Sequence, residues 1–269
     1  MASLISINSL CLEPGPFEAH VETVARLGAA AMSPARAEIE AYGSGRAAKL
    51  LADAGLSVAL LTHMAFGFQT PQDAKVETER LKHTIDLAHA IGSPAVCMTT
   101  GGRGDLTWKE AAERFAAEIR PAAEYARSAG VSLAIEPVSH LYADASIAHR
   151  LSDLVAVAEA AGISVGIDLF PCWVDSDLED ALAAAAPICA FVQVSDYVLG
   201  DRGLPCRAVP GDGAVPLDLI VRVLLESGYQ GPFDLEVIGP RLVAEGCEAG
   251  LRRGMIRLAQ AISAGTPSR

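Results

Sequence analysis

VSLAIEPVSHLYADASIAHRLSDLVAVAEAAGISVGIDL, residues 131–169, reads as strand, turn, helix, glycine stop and strand. The runs 131–137 and 163–169 are short and rich in Val, Ile and Leu. Between them, Ser152 to Ala161 has the Ala/Leu/Val/Glu composition of a helix and ends at Gly162. The same unit recurs on both sides. Toward the N-terminus lie strands at 4–8 (LISIN), 29–33, 57–63 and 95–100. Helices follow them at Phe17–Gly28, Ser44–Ala54, Pro71–Ala90 and Thr107–Ala129, the last with a Thr107/Glu110 capping box. Toward the C-terminus lie strands at 188–196 and 232–239 and helices at Asp177–Ala186, Pro216–Ser227 and Glu245–Ser263. Eight strand–helix units in 269 residues predict parallel pairing through right-handed crossovers, and so an α/β fold: a single (β/α)8 TIM barrel domain over 1–269. A doubly wound open sheet would need a Gly-rich phosphate turn after its first strand. NSLCLEPGP (8–16) is not one.

Composition narrows the function classes. Lys and Arg number 21 against 33 Asp and Glu, a formal charge of −12, which argues against nucleic acid. Every apolar run is broken well short of a membrane span. The start, MASLISINSLCLEPGP, has neither a basic beginning nor a long apolar segment, so no leader is expected and a cytoplasmic setting is. The six cysteines contain no C-x-x-C pair, and Cys97 and Cys189 sit in apolar runs as core residues. The Ala- and Leu-rich helices are compatible with a homodimer.

In a barrel of this kind the chemistry sits at the C-terminal ends of the strands. His63, Glu136, Asp168, Gln193, Asp196 and Glu236 are polar residues at or near those ends, in otherwise apolar segments. An unpaired buried charge costs on the order of several kcal/mol. Carboxylates converging on one mouth therefore call for a cation, and a divalent metal on oxygen ligands is the simplest. Asp168 and Asp196 have a second reading, as caps of the turns that follow them. Arg103, Arg202, Arg207 and Arg241 lie in the loops after strands four, seven and eight, where a guanidinium suits a carboxylate or phosphate on a substrate. Trp173, with Phe66 or Phe68, offers an aromatic stacking wall.

The ordered segments SINSL, LAIEPV, GIDLFPCWVD, FVQVSDY, VPGDG and GPFDLEVIGP resemble the xylose-isomerase-like sugar phosphate isomerases/epimerases over nearly the whole chain. The resemblance implies a divalent cation, Mn or Mg before Zn or Co, held by Glu136, Asp168, Gln193 and Glu236. It also implies proton transfer through an enediolate by Glu136 and Glu236, on a small sugar or polyol-derived hydroxy-carbonyl. His63, His140, Trp173, Arg202, Arg207 and Arg241 are the expected substrate contacts. There are two departures. Gln193 stands where the family has a metal-binding His, and Pro171 stands where the family's Asp-x-x-His has a substrate-touching His; His140 is a candidate replacement.

Alternatives share the scaffold. A lyase or dehydratase of the inositol or dehydroshikimate type would abstract the same proton and then eliminate water. A non-catalytic sugar-binding subunit is a third reading, kept open by Gln193 and Pro171. An abasic-site endonuclease needs a His-rich zinc cluster and a basic face; six His and a charge of −12 argue against it.

Overall fold

The computed structural model describes residues 5–266. Its strands are β1 (Ile5–Asn8), β2 (Ala31–Ser33), β3 (Ser57–Val58), β4 (Leu61–Thr62), β5 (Ala95–Met98), β6 (Ser132–Ile135), β7 (Ser164–Asp168), β8 (Cys189–Val194) and β9 (Phe233–Leu235). All pair in parallel, in the order β3-β2-β1-β9-β8-β7-β6-β5-β4. The two ends of that order, β3 and β4, are halves of the single strand expected at 57–63. The Ala59 N–H donates to Met32 O (3.0 Å) on one side, and the His63 N–H donates to Cys97 O (2.7 Å) on the other. One segment thus spans the seam and nearly closes the barrel.

The helices are α1 (Phe17–Leu27), α2 (Arg36–Tyr42), α3 (Ser44–Asp53), α4 (Pro71–Ala90), α5 (Trp108–Glu118), α6 (Arg120–Ser128), α7 (Leu151–Ala161), α8 (Leu169–Cys172), α9 (Leu178–Ala185), α10 (Leu217–Glu226), α11 (Pro240–Glu245) and α12 (Cys247–Gly265). The helix expected over 107–129 is two, α5 and α6. Pro121, which has no N–H to give the preceding turn, follows the break at Ile119. The capping box at its start is present, with Thr107 and Glu110 bonding reciprocally (2.8 and 3.3 Å). The last helix, expected from Glu245, starts just after Gly246, whose φ of +94° is left-handed and separates it from the short α11 before it. Among the described residues, no helix is long and apolar enough to cross a membrane.

Strand periodicity sorts the side chains into two layers. Ile5, Ile7, Val96, Met98, Leu133, Ile135, Val192, Val194, Phe233 and Leu235 pack outward in the large cluster under the helices. Leu60, Ala95, Cys97, Ala134 and Phe191 form a separate cluster, the barrel's interior. Phe191 dominates it, and Gly166 makes room: a Cβ at that position would lie 2.1 Å from the Phe191 ring. Residues two further along β6, β7, β8 and β9 than Ala134, Gly166, Phe191 and Asp234 share their inward face. They are Glu136, Asp168, Gln193 and Glu236.

Candidate active site

These four side chains meet above the interior cluster, at the C-terminal mouth. Each is held by a continuation of the sheet. The Glu136 N–H donates to Met98 O (3.1 Å) and the Glu236 N–H to Val194 O (3.0 Å), each one residue past its strand. Asp168 and Gln193 are directly paired in the β7–β8 register. Cys11 braces Glu236 from both sides: its thiol donates to Leu235 O (3.3 Å) and its sulfur accepts from the Val237 N–H (3.0 Å). Asp168, Gln193 and Glu236 are buried, and Glu136 is partly exposed.

A guanidinium stands among them. Arg207 Nη1 donates to Asp168 Oδ1 (2.7 Å) and Nη2 donates to Asp168 Oδ2 (2.6 Å), a two-pronged pair. Nη1 also reaches Ser195 Oγ (3.3 Å), Nη2 lies 3.9 Å from Glu236 Oε2, and the group sits 4.9 Å over the Phe170 ring. Asp168 Oδ1 additionally accepts from the Phe170 N–H (3.1 Å), capping α8, so its turn-capping reading holds alongside the ion pair. Burial works against the charge on Arg207, but Asp168 and Glu236 outweigh it and raise its pKa. Burial pushes the carboxyls of Glu136 and Glu236 above the ordinary range. The Asp168 charge adds to that shift, while Arg207 opposes it. Cys97 and Gln193 lie beside Glu136 and favour its ionised form.

The loop that carries Arg207 is built onto Asp196. That carboxylate accepts four backbone N–H bonds, from Tyr197 (2.8 Å), Gly211 (2.9 Å), Gly213 (2.9 Å) and Val215 (3.0 Å). Of its two readings, the structure supports the turn cap. Gly213 is required there, because a Cβ would come within 2.2 Å of Tyr197 O. Asp196 and Ala208 exchange backbone hydrogen bonds (both 2.8 Å), and the Arg207 N–H donates to Ile238 O (3.0 Å). The arginine backbone is thereby pinned from two sides.

The expected metal ligands do not fit a metal in this arrangement. Both oxygens of Asp168 are taken by Arg207, and Gln193, the expected amide ligand, stands where the family has an imidazole. Among the described residues, no group of three or more His, Cys, Asp or Glu side chains is disposed to hold an ion. Two buried acceptors, Gln193 Oε1 and Glu236 Oε2, have no hydrogen-bond partner.

The expected substrate contacts divide. A cavity of ≈ 160 Å³ reaches Glu136, Asp168 and Arg207 between Val138, Phe170 and Pro171. Beyond it, sharing Phe170, Pro171 and Cys206, opens a cavity of ≈ 640 Å³ lined by His140, Arg150, Trp173, Tyr197 and Arg202. Trp173 lies 6.1 Å from the Tyr197 ring. His63 is elsewhere: its Nδ1 bonds Thr84 Oγ1 of α4 (2.8 Å), in the helix layer. Arg241 is spent on Asp201, which it grips at 2.7 and 3.0 Å. Phe66 and Phe68 are fully buried against Phe115, in the core and away from both of these cavities. Arg207, an expected substrate contact, lines the inner cavity while paired with Asp168. Phe170 and Tyr197 carried no periodic signal, because a loop has no period to betray them.

A barrel whose polar residues converge at the strand C-termini defines a class of (β/α)8 protein with its site at that mouth. The profile of the xylose isomerase-like TIM barrel family matches residues 21–259, and the chain belongs to that family. Solved structures with this fold include protein SMc04130 from Sinorhizobium meliloti 1021 (23% identity, TM-score 0.88, covering 97% of this chain and 99% of that one). The IolI protein with a bound zinc atom matches at 14% identity and TM-score 0.86, covering 98% and 99%. The D-psicose 3-epimerase of Clostridium cellulolyticum H10, solved with D-tagatose, matches at 16% and 0.80, covering 96% and 98%. No curated protein matches the sequence.

Proposed function

We propose that the chain is an isomerase or epimerase of a small, sugar-like hydroxy-carbonyl compound, with Glu136 and Glu236 exchanging a proton with carbon. The observation that carries this is the pair itself. Two glutamates end β6 and β9 on the inward face, and burial pushes both carboxyls upward. At neutral pH such a pair can hold one proton between them, giving one base and one acid. Membership of the family supports the reading, as does the likeness to an epimerase solved with a ketose. The ≈ 160 Å³ of the inner cavity suits a small substrate. Trp173 and Arg202 are assigned to its distal end, in the outer cavity. The IolI protein is solved with a bound zinc atom, and a bound divalent ion would supply electrophilic assistance to such a reaction.

The test is incubation with a panel of ketoses, hydroxy-aldehydes and inososes in D2O, followed by NMR. Deuterium entering the carbon beside the carbonyl, with isomer or epimer formed, supports the reading. Release of water to an unsaturated product would make the chain a lyase. No exchange on any member would leave the binding-subunit reading.

A further inference from the structure

We infer that Arg207 is the resident cation of this site, doing the work expected of a divalent metal, so that the reaction runs without one. The inference rests on the isomerase reading and specifies its electrophile and the polar face of its substrate.

The geometry of Arg207 is that of a built-in group. Its backbone is pinned by Ile238 O and by the Asp196–Ala208 exchange. Its guanidinium is sandwiched between Asp168, gripped at 2.7 and 2.6 Å, and the Phe170 ring at 4.9 Å. An ion entering between the carboxylates would have to displace that fork and then share the space with a fixed positive charge. Gln193 fits the same design, since its neutral amide supports the neighbouring Glu136 carboxylate and offers a metal no imidazole. An imidazole there would have a metal to bind only if the arginine left. The unpartnered, buried Gln193 Oε1 and Glu236 Oε2 are acceptors waiting for hydroxyl donors.

The substrate class follows. A carbonyl oxygen lies against the free N–H edge of Arg207 Nη2, and an adjacent hydroxyl donates to Gln193 Oε1. The ionised glutamate takes the proton from the carbon beside the carbonyl. The C–H electron pair becomes the carbon–carbon double bond of an enediolate, and the carbonyl π pair moves onto oxygen, where Arg207 meets the charge. The other glutamate, protonated at the start, returns its proton to carbon as the enediolate collapses. One carboxyl ends protonated and the other ionised, so charge and protons balance with no metal or oxidant.

Two measurements test this, the first independent of activity. Mn²⁺ is titrated into metal-stripped wild type, Arg207→Met and Arg207→Met/Gln193→His, by calorimetry and by the loss of the free-ion EPR signal. Wild type is expected to bind no stoichiometric Mn²⁺, and the double variant to gain a site at least about tenfold tighter than any in wild type. Should Arg207→Met fail to fold, Arg207→Lys, which keeps the charge but loses the fork, serves in its place and is expected to bind no Mn²⁺. Stoichiometric Mn²⁺ binding by wild type overturns the inference. In the second measurement, solvent-deuterium exchange by wild type is followed with and without EDTA on whichever substrate the panel yields. Exchange unchanged by EDTA supports it. Exchange abolished by EDTA and restored by Mn²⁺ overturns it while leaving the isomerase reading standing. Absence of exchange, with no Mn²⁺ bound, sinks the isomerase reading and with it this role for Arg207.

Discussion

Arg207 and Asp168, 39 residues apart, form a two-pronged ion pair at 2.7 and 2.6 Å, with both side chains largely buried. Three carboxylates share this one guanidinium, so after burial, which comes first, the negative excess adds to the upward shift of Glu136 and Glu236 that Arg207 opposes.

Replacing Asp168 with Asn keeps the shape and removes the charge. Arg207 is then left buried with its main counter-charge gone, a loss typically of about 3–5 kcal/mol. Urea denaturation of Asp168→Asn is expected to show a destabilisation of that order. A change within experimental error would mean that Glu136 and Glu236 already neutralise the arginine.

Glu136→Gln and Glu236→Gln are each expected to fold and to lose proton exchange with carbon, by roughly 10²–10⁴-fold. A neutral amide cannot accept that proton. Circular dichroism checks the fold, and deuterium incorporation checks the chemistry. Near-normal exchange by either variant would remove that residue from the acid/base role.

Gly166→Ala places a methyl group 2.1 Å from the Phe191 ring in the barrel interior. Overpacking of this kind typically costs about 1–3 kcal/mol. Gly166→Ala/Phe191→Leu is expected to recover part of that loss, because the smaller side chain vacates the space. If the double variant is no more stable than the sum of the two single changes, the two positions are not in contact.

His63 supplies a pH dependence of stability. Burial, with Arg80 and Arg36 nearby, lowers its pKa to about 3. The folded state therefore resists a proton that the unfolded state takes up near the ordinary value of about 6.5. As pH falls from about 6.5 towards 3, the unfolded state binds more protons and stability drops, by on the order of 1 kcal/mol per pH unit. Above that window both states are neutral and His63 contributes no slope. His63→Asn, whose amide can still meet Thr84, is expected to flatten the acid limb of a melting-temperature profile; an unchanged limb would assign it to other groups.

Much of this protein was legible from its sequence because periodicity is local. The alternation of short apolar runs with helical segments implied a parallel barrel. Within the strands, the period of two put Glu136, Asp168, Gln193 and Glu236 on one inward face, two residues beyond Ala134, Gly166, Phe191 and Asp234. The caps at Thr107 and Gly28 were readable for the same reason: cap and helix are neighbours in the chain. Tertiary structure alone decided the partners. Arg207 lies in a loop without a period, and nothing near it in sequence announces Asp168. Asp196 looked like any strand-end carboxylate until the chain returned to set Gly211, Gly213 and Val215 around it. His63 follows a strand that straddles the barrel's seam, and the packing of α4 turned it to Thr84 and away from the mouth. The positions that could carry charge at the mouth were set by local pattern. Which cation answers that charge was set by a contact between distant segments, because electrostatic pairing depends on distance in space and not on separation along the chain.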